Sequence, residues 1–223
     1  MIYSVGNSLA WGKWYVNLKN QKTAKNLIFL HKYAKIWQKV MKIKKLKPIF
    51  FEKDTLAVAE ELLGKFLVRR WRGREIYLMI TEVEAYDGTN DRGSHASRGK
   101  TVRNTPMFGK PGHWYVYFTY GMHWLINIVT RETGYPAAVL IRGGFTVDSK
   151  GRPVRVNGPA RTAKFLKIKG KFSGLRADAK TGFWIEDRGI RIQAKKIRHG
   201  PRVGIDYAGK IWAGKPWRFW VEN

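Results

Sequence analysis

Cysteine is missing from all 223 residues, and acids are scarce: 16 Asp and Glu stand against 43 Lys and Arg, a formal net charge of +27. Without thiols there is no disulfide, no thiolate zinc site and no cysteine-held iron–sulfur cluster. The five histidines, His31, His95, His113, His123 and His199, show no metal-binding spacing with acidic neighbours, so a mechanism without metal or cofactor is expected. No apolar run reaches bilayer-spanning length, and no segment joins basic residues to a clean apolar face, which argues against a membrane partner. A signal-peptide pattern is also missing, because the N-terminal lysines are dispersed and no compact apolar core precedes a small-residue cleavage site. The cytoplasm is the expected location, or the nucleus for a eukaryotic source.

What is present suits one sizeable core, with 44% hydrophobic residues. The charge excess favours a polyanion, and phosphate backbones come first because releasing their counterions drives binding irrespective of sequence. Charge alone is equally compatible with a structural role on ribosomal RNA, or with a basic tail unrelated to the chemistry. The excess is uneven: residues 1–50 hold eleven lysines and no acid, and the first carboxylate is Glu52. Residues 1–46 read as a basic extension, partly helical through Ala24–Lys39 or disordered, that either holds nucleic-acid backbone or has no function; Met41 is a second credible start for the folded part.

From residue 47 to 223 the pattern is that of a compact α+β domain. Asp54 is placed to cap a helix carrying Leu56, Ala59, Leu62 and Leu63 on one face, ended at Gly64. Strands are expected at Phe66–Trp71 and Ile76–Glu84, turned by Arg72-Gly73-Arg74, then at Trp114–Tyr120, Trp124–Thr130 and Ala137–Arg142. A helix should open at Pro159, and short strands at Phe183–Glu186, Ile190–Gln193 and Trp217–Val221 should close the sheet. Between Tyr86 and Gly112 lies a long irregular segment, of the kind that is usually functional inside a compact domain.

Few side chains there carry chemistry. Glu84 and Tyr86, two apart in a strand, share a face and offer a base beside a flat ring; Glu82 shares that face, while Asp87 and Asp91 fall in the following loop. A carboxylate amid positive charge should stay ionised, which suits a general base; a solvated acid or the partner of an arginine is the plainer reading. Tyr117 and Tyr120 have opposite parity on the Trp114–Thr130 hairpin, fitting either aromatic packing or one ring in a pocket and one pointing out. Asn127 falls on an apolar face with Leu125 and Val129, and is either a satisfied structural amide or a reader of a bound ring's edge. His95, in Ser94-His95-Ala96-Ser97-Arg98-Gly99, is likewise open between exposure and function.

Taken in order and spacing, Glu84-Ala85-Tyr86, His95 with Ser97-Arg98-Gly99, Arg103-Asn104, Met107-Phe108 before Pro111-Gly112, Tyr115-Val116-Tyr117, Tyr120-Gly121-Met122 and Asn127 resemble the alkyladenine (3-methyladenine) DNA glycosylase family. The likeness continues through Arg142, Gly158-Pro159, Arg202-Val203-Gly204-Ile205 and Pro216-Trp217-Arg218-Phe219. It implies a single domain with a mostly antiparallel curved sheet, flanking helices and a protruding hairpin. The implied activity is that of a monofunctional, cofactor-free and monomeric DNA N-glycosylase acting on duplex DNA with damaged purines. The resemblance gives Glu84 the task of deprotonating the water that attacks C1′, with Arg142 positioning that water. Tyr86 would stack on one face of the flipped base, and His95 and Tyr117 on the other. Asn127 would crowd out the exocyclic amine of guanine, Tyr120 would enter the duplex, and Arg98, Lys100 and Arg103 are candidates for backbone contact. No lysine stands among the matched pocket residues, which argues against a lyase using an amine nucleophile. Two departures stand out: Gly143-Gly144-Phe145 where an Ala-Leu-Glu-like continuation is usual, and a short, mildly basic Thr146–Val156 loop where relatives often carry a longer helical insertion.

Overall fold

A computed structural model describes residues 43–149 and 151–222. The helical reading of Ala24–Lys39 lies outside these residues, as does all but the end of the 1–46 extension. What is described of that end contains β1 (Lys44–Lys45), paired with Asp187 and Glu186.

Helix α1 (Thr55–Leu62) starts where the sequence predicts. The Asp54 carboxylate accepts the Leu56 and Ala57 amides, and Gly64 takes a φ of 83° at the far end. Its buried face is Thr55, Val58, Ala59 and Leu62, with Leu56 only partly covered. Strands β2 (Phe66–Trp71) and β3 (Arg74–Asp87) then form a hairpin. The two residues between them, Arg72 and Gly73, both have positive φ, as a turn matching the twist of the strands requires. Two single turns of 3-10 helix, His95–Arg98 and Thr105–Phe108, order the segment expected to be irregular.

The second hairpin is β4 (Trp114–Thr119) and β5 (His123–Val129), followed by β6 (Ala137–Val147), β7 (Pro153–Asn157) and α2 (Pro159–Phe165). Last come β8 (Phe183–Asp187), β9 (Ile197–Gly200), the short helix α3 (Lys210–Ala213) and β10 (Arg218–Val221). The strands form one antiparallel sheet in the order β1-β8-β2-β3-β6-β5-β4, with β7 beside β6 and the β9–β10 pair beside β3. Its inner face packs on α1 and α2 around Leu62, Ile80, Ile126, Ile141 and Leu166, with Trp114 stacked on Phe183 at 4.0 Å. The α+β architecture with a curved antiparallel sheet is therefore present. No helix among the described residues is long and apolar enough to cross a membrane.

Two expectations need correction. Ile190–Gln193 is not a strand: Ile190 and Ile192 fold onto Gly64 and the cluster around Phe66, so packing satisfies their alternation without a partner strand, and the strand lies instead at Ile197–Gly200. Nor is Thr146–Val156 a loop. β6 runs on to Val147 and returns as β7, around a turn in which Asp148 accepts from the Arg152 amide (2.9 Å) and Arg152 Nε (2.7 Å).

The Gly143-Gly144 pair has a steric cause. A Cβ at Gly144 would stand 2.1 Å from the Met79 carbonyl oxygen, and one at Gly143 would stand 2.8 Å from that of Val156. The register between β3 and β6 shifts there, between Ile80 and Glu82 and again before Val83.

Candidate active site

Strand β3 runs through the middle of the sheet and carries Glu82, Glu84 and Tyr86 on one face. Glu84 is wholly buried. Its Oε1 accepts the Val203 amide at 2.8 Å and lies 3.2 Å from Arg142 Nη1, while its Oε2 accepts the Tyr86 hydroxyl at 2.9 Å. Arg142, from β6, also donates Nε to Glu82 Oε1 at 2.9 Å, so one guanidinium bridges two carboxylates. Burial pushes the Glu84 carboxyl above the usual carboxylate range, against the pull of Arg142, the Val203 amide, Tyr86 and Arg202. Loss of water is thus a larger influence on this carboxyl than any one of the charges around it. The Arg142 charge is itself reinforced: burial opposes it, and Glu84 and Glu82 outweigh that.

In front of Glu84 lies a pocket of about 490 Å³. Tyr86, His95, Arg103, Tyr117, Tyr120, Asn127 and Arg142 all line it, with Met107, Leu125, Leu140, Val203 and Tyr207. Glu84 is not part of that lining, yet each of its three partners is. Arg98 and Lys100 lie outside the lining; Lys100 Nζ sits 5.7 Å from the Phe108 ring centroid.

The rings are held by defined partners. His95 Nδ1 is 2.8 Å from the Tyr115 hydroxyl, and its ring meets Tyr117 edge-on at 4.6 Å. Burial, with the nearby Arg103 charge adding to it, lowers the His95 imidazole to about 4, so it is neutral at physiological pH. The buried Asn104 staples this loop: its amide donates to the His95 and Gly99 carbonyls, both at 2.9 Å, and its oxygen accepts the Thr101 amide at 2.6 Å. Arg103, a candidate for backbone contact, also holds the site together. It lies over the Tyr117 ring at 4.9 Å and donates to the Phe118 carbonyl at 3.0 Å, tying the loop to the hairpin. Asn127 is buried and donates Nδ2 to the Tyr115 carbonyl at 3.0 Å. Tyr120 stands at the hairpin tip, 83% exposed, with φ of 51° before Gly121 at 65°. The Met122 amide closes this turn onto the Thr119 carbonyl at 3.2 Å.

The sequence reading missed a layer behind the pocket. Asp91, placed there in a loop, is wholly buried and grips Arg202, which is also wholly buried, through two contacts of 2.5 and 2.7 Å. Arg202 donates as well to the Ala85 carbonyl, and its guanidinium lies between the rings of Tyr86 (4.7 Å) and Trp217 (5.0 Å). It thus backs Tyr86 and fixes the peptide that presents Val203 N–H. The only available signal was the Arg202-Val203-Gly204-Ile205 run, which marked the segment without marking its backbone amide. Among the described residues no group of three or more His, Asp or Glu could hold a metal ion.

Comparison with known proteins agrees with this geometry. The methylpurine-DNA glycosylase family model matches residues 49–223. A protein of Methanocella arvoryzae named "Putative 3-methyladenine DNA glycosylase" is 43% identical over 185 residues, covering 78% of this chain and 90% of its own. One of the same name from Streptomyces avermitilis is 42% identical over 186 residues, covering 78% and 86%. The "DNA-3-methyladenine glycosylase" of Arabidopsis thaliana is 39% identical over 192 residues, covering 81% and 73%. The family match takes in every strand that lines the pocket, β3 through β6, together with the Val203 segment behind it, and with most of the chain matched the protein belongs to the methylpurine-DNA glycosylase family.

Proposed function

We propose that the protein is a monofunctional DNA N-glycosylase that turns damaged purines out of duplex DNA and hydrolyses their bond to the sugar. The observation that carries this reading is the placement of Glu84: a wholly buried carboxylate one layer behind an aromatic pocket, its three polar partners all lining that pocket. The basic surface searches backbone without reading sequence. Tyr120, exposed at the tip of a hairpin, is the wedge that fills the gap left by the extruded nucleotide. The base enters among Tyr86, His95 and Tyr117, and Asn127 at the pocket wall excludes the guanine amine.

Water beside Arg142 exchanges for one of the hydrogen bonds at Glu84 and gives up its proton to that carboxylate. Its oxygen bonds to C1′ as the C1′–N bond breaks, leaving an abasic site and the free base. An alkylated purine such as 3-methyladenine is already cationic and departs neutral, so no acid is needed. Its charge is also attracted to the π faces by about 0.5–2 kcal/mol. Neutral His95 fits such a leaving group, since it has no proton to spare for one that requires protonation. The test is a set of duplexes carrying 3-methyladenine, 7-methylguanine, hypoxanthine or ethenoadenine, scored for free base and for alkali-labile abasic product. Tight salt-sensitive binding with no abasic product from any duplex would refute the enzyme and leave a binding protein of the same fold.

A further inference from the structure

Two acids share β3 with one arginine between them, and the mechanism above uses only one of the acids. Glu82 is almost buried, with a side-chain exposure of 14%, and it accepts Arg142 Nε at 2.9 Å. The guanidinium is planar, so fixing Nε from one side fixes the direction in which Nη1 points. It points at Glu84, 3.2 Å away. On the other side of β3, strand β10 places Arg218 directly across from Glu84 in register, yet its Nε approaches Glu82 at 4.0 Å and has no hydrogen-bond partner. Glu82 therefore stands between two arginines, within hydrogen-bond reach of the first and at the outer limit of an ion pair with the second.

The backbone is built to allow this. Thr81 and Arg142 fall at the break in register between β3 and β6, where Glu82 is drawn opposite Gly143. Irregularities of this kind re-aim side chains. The close approach there depends on Gly143 and Gly144, whose Cβ positions are already occupied by backbone carbonyls.

We propose that Glu82 is a positioning residue for the hydrolysis. It holds Arg142 in the orientation that serves Glu84 and the attacking water, and its negative charge sets how readily Glu84 gives up its proton. The proposal rests on the reading of Glu84 as the base. The groups facing Glu84 are Arg142 from β6, Arg218 from β10, Arg202 and the Val203 amide from the segment before α3, Tyr117 from β4, and Tyr86 and Glu82 on its own strand. Of these, Glu82 is the one other carboxylate, and the one whose removal frees an arginine for Glu84.

The test compares Glu82→Gln and Glu82→Ala with the wild-type chain in single-turnover release of 3-methyladenine across pH, alongside binding to a duplex bearing a stable abasic-site analogue. Gln keeps an acceptor for Arg142 Nε and removes the charge. Its plateau rate should stay within about threefold of wild type, while the acid limb moves to lower pH because Glu84 now ionises more easily. Ala removes the anchor, and the plateau should fall about 10- to 100-fold with duplex affinity unchanged. A Glu82→Ala plateau within twofold of wild type overturns the proposal. So does an equal loss in both variants with an unmoved acid limb, because that is what a merely structural acid would give. Glu84→Gln, run in parallel, separates the two claims: full turnover there removes the base itself, whatever Glu82 does.

Discussion

Replacing Glu84 by Gln should cost activity and leave the fold as stable as before, or more so. The amide oxygen can keep the Val203 N–H and Arg142 contacts made by Oε1. The amide nitrogen can face the Tyr86 hydroxyl, which accepts as readily as it donates. No contact is lost, and Arg142 retains Glu82. What disappears is a buried negative charge, and burial is the largest influence on that carboxyl. The folded state raises the Glu84 pKa above the unfolded value, so burial favours the protonated form over the ionised one. The stability the group contributes is present below its unfolded pKa and lost as pH rises through its folded one. Thermal unfolding of Glu84→Gln should therefore match or exceed wild type where the wild-type carboxyl is ionised, and the gap should close as pH falls and that carboxyl takes up its proton. Base release should meanwhile fall by about 10²- to 10⁴-fold, the usual contribution of a general base. Turnover within about tenfold of wild type would refute the role of Glu84. Destabilisation beyond about 2 kcal/mol would refute the account of its burial.

Asp91→Ala should destabilise by about 3–5 kcal/mol in denaturant titration, since it strands the wholly buried Arg202. Tyr120→Gly should leave the melting temperature unchanged or slightly raised, because the ring is exposed and the positive φ suits glycine, while single-turnover excision falls at least tenfold. Gly144→Ala should fail to give a folded chain by circular dichroism, as its methyl group has no space beside the Met79 carbonyl. The His95 imidazole should titrate at about 4 by NMR, so any acid limb in the rate profile above that pH belongs to another group; a midpoint near the ordinary histidine value would overturn its burial against Tyr115 and Tyr117.

Where the chain's own chemistry is local, the sequence was readable. Asp54 capped its helix, Arg72-Gly73 made its turn, and the parity of Glu84 and Tyr86 became a hydrogen bond between them. The β4–β5 hairpin was legible because its alternation is strong. β7 was not, because it is short, opens on a proline and is mostly exposed, and its partner is the far end of β6 rather than a sequence pattern. Ile190 and Ile192 misled for the opposite reason: alternation reports which side chains are buried, and nothing about whether the backbone has a neighbour to pair with. At the site, the side chains were nameable and the amide of Val203 was not, since every residue but proline carries that donor. The weight of burial on Glu84 was not legible, because charge can be counted along a chain, whereas burial depends on how the rest of it folds.

The Val203 contact spans 119 residues, and the Arg202 contact to Asp91 spans 111. Arg218, on β10, stands across from Glu84 and 4.0 Å from Glu82. The carboxylate thus takes Tyr86 from its own strand and Arg142 from β6, and receives the Val203 amide only from a segment 119 residues further along. Until then Glu84 has a pocket wall on one side and nothing to donate to Oε1 from the other but Arg142. The ring-lined cleft of β3–β6 can assemble before residues 202 and 203 are made; the competence of its acid waits for them.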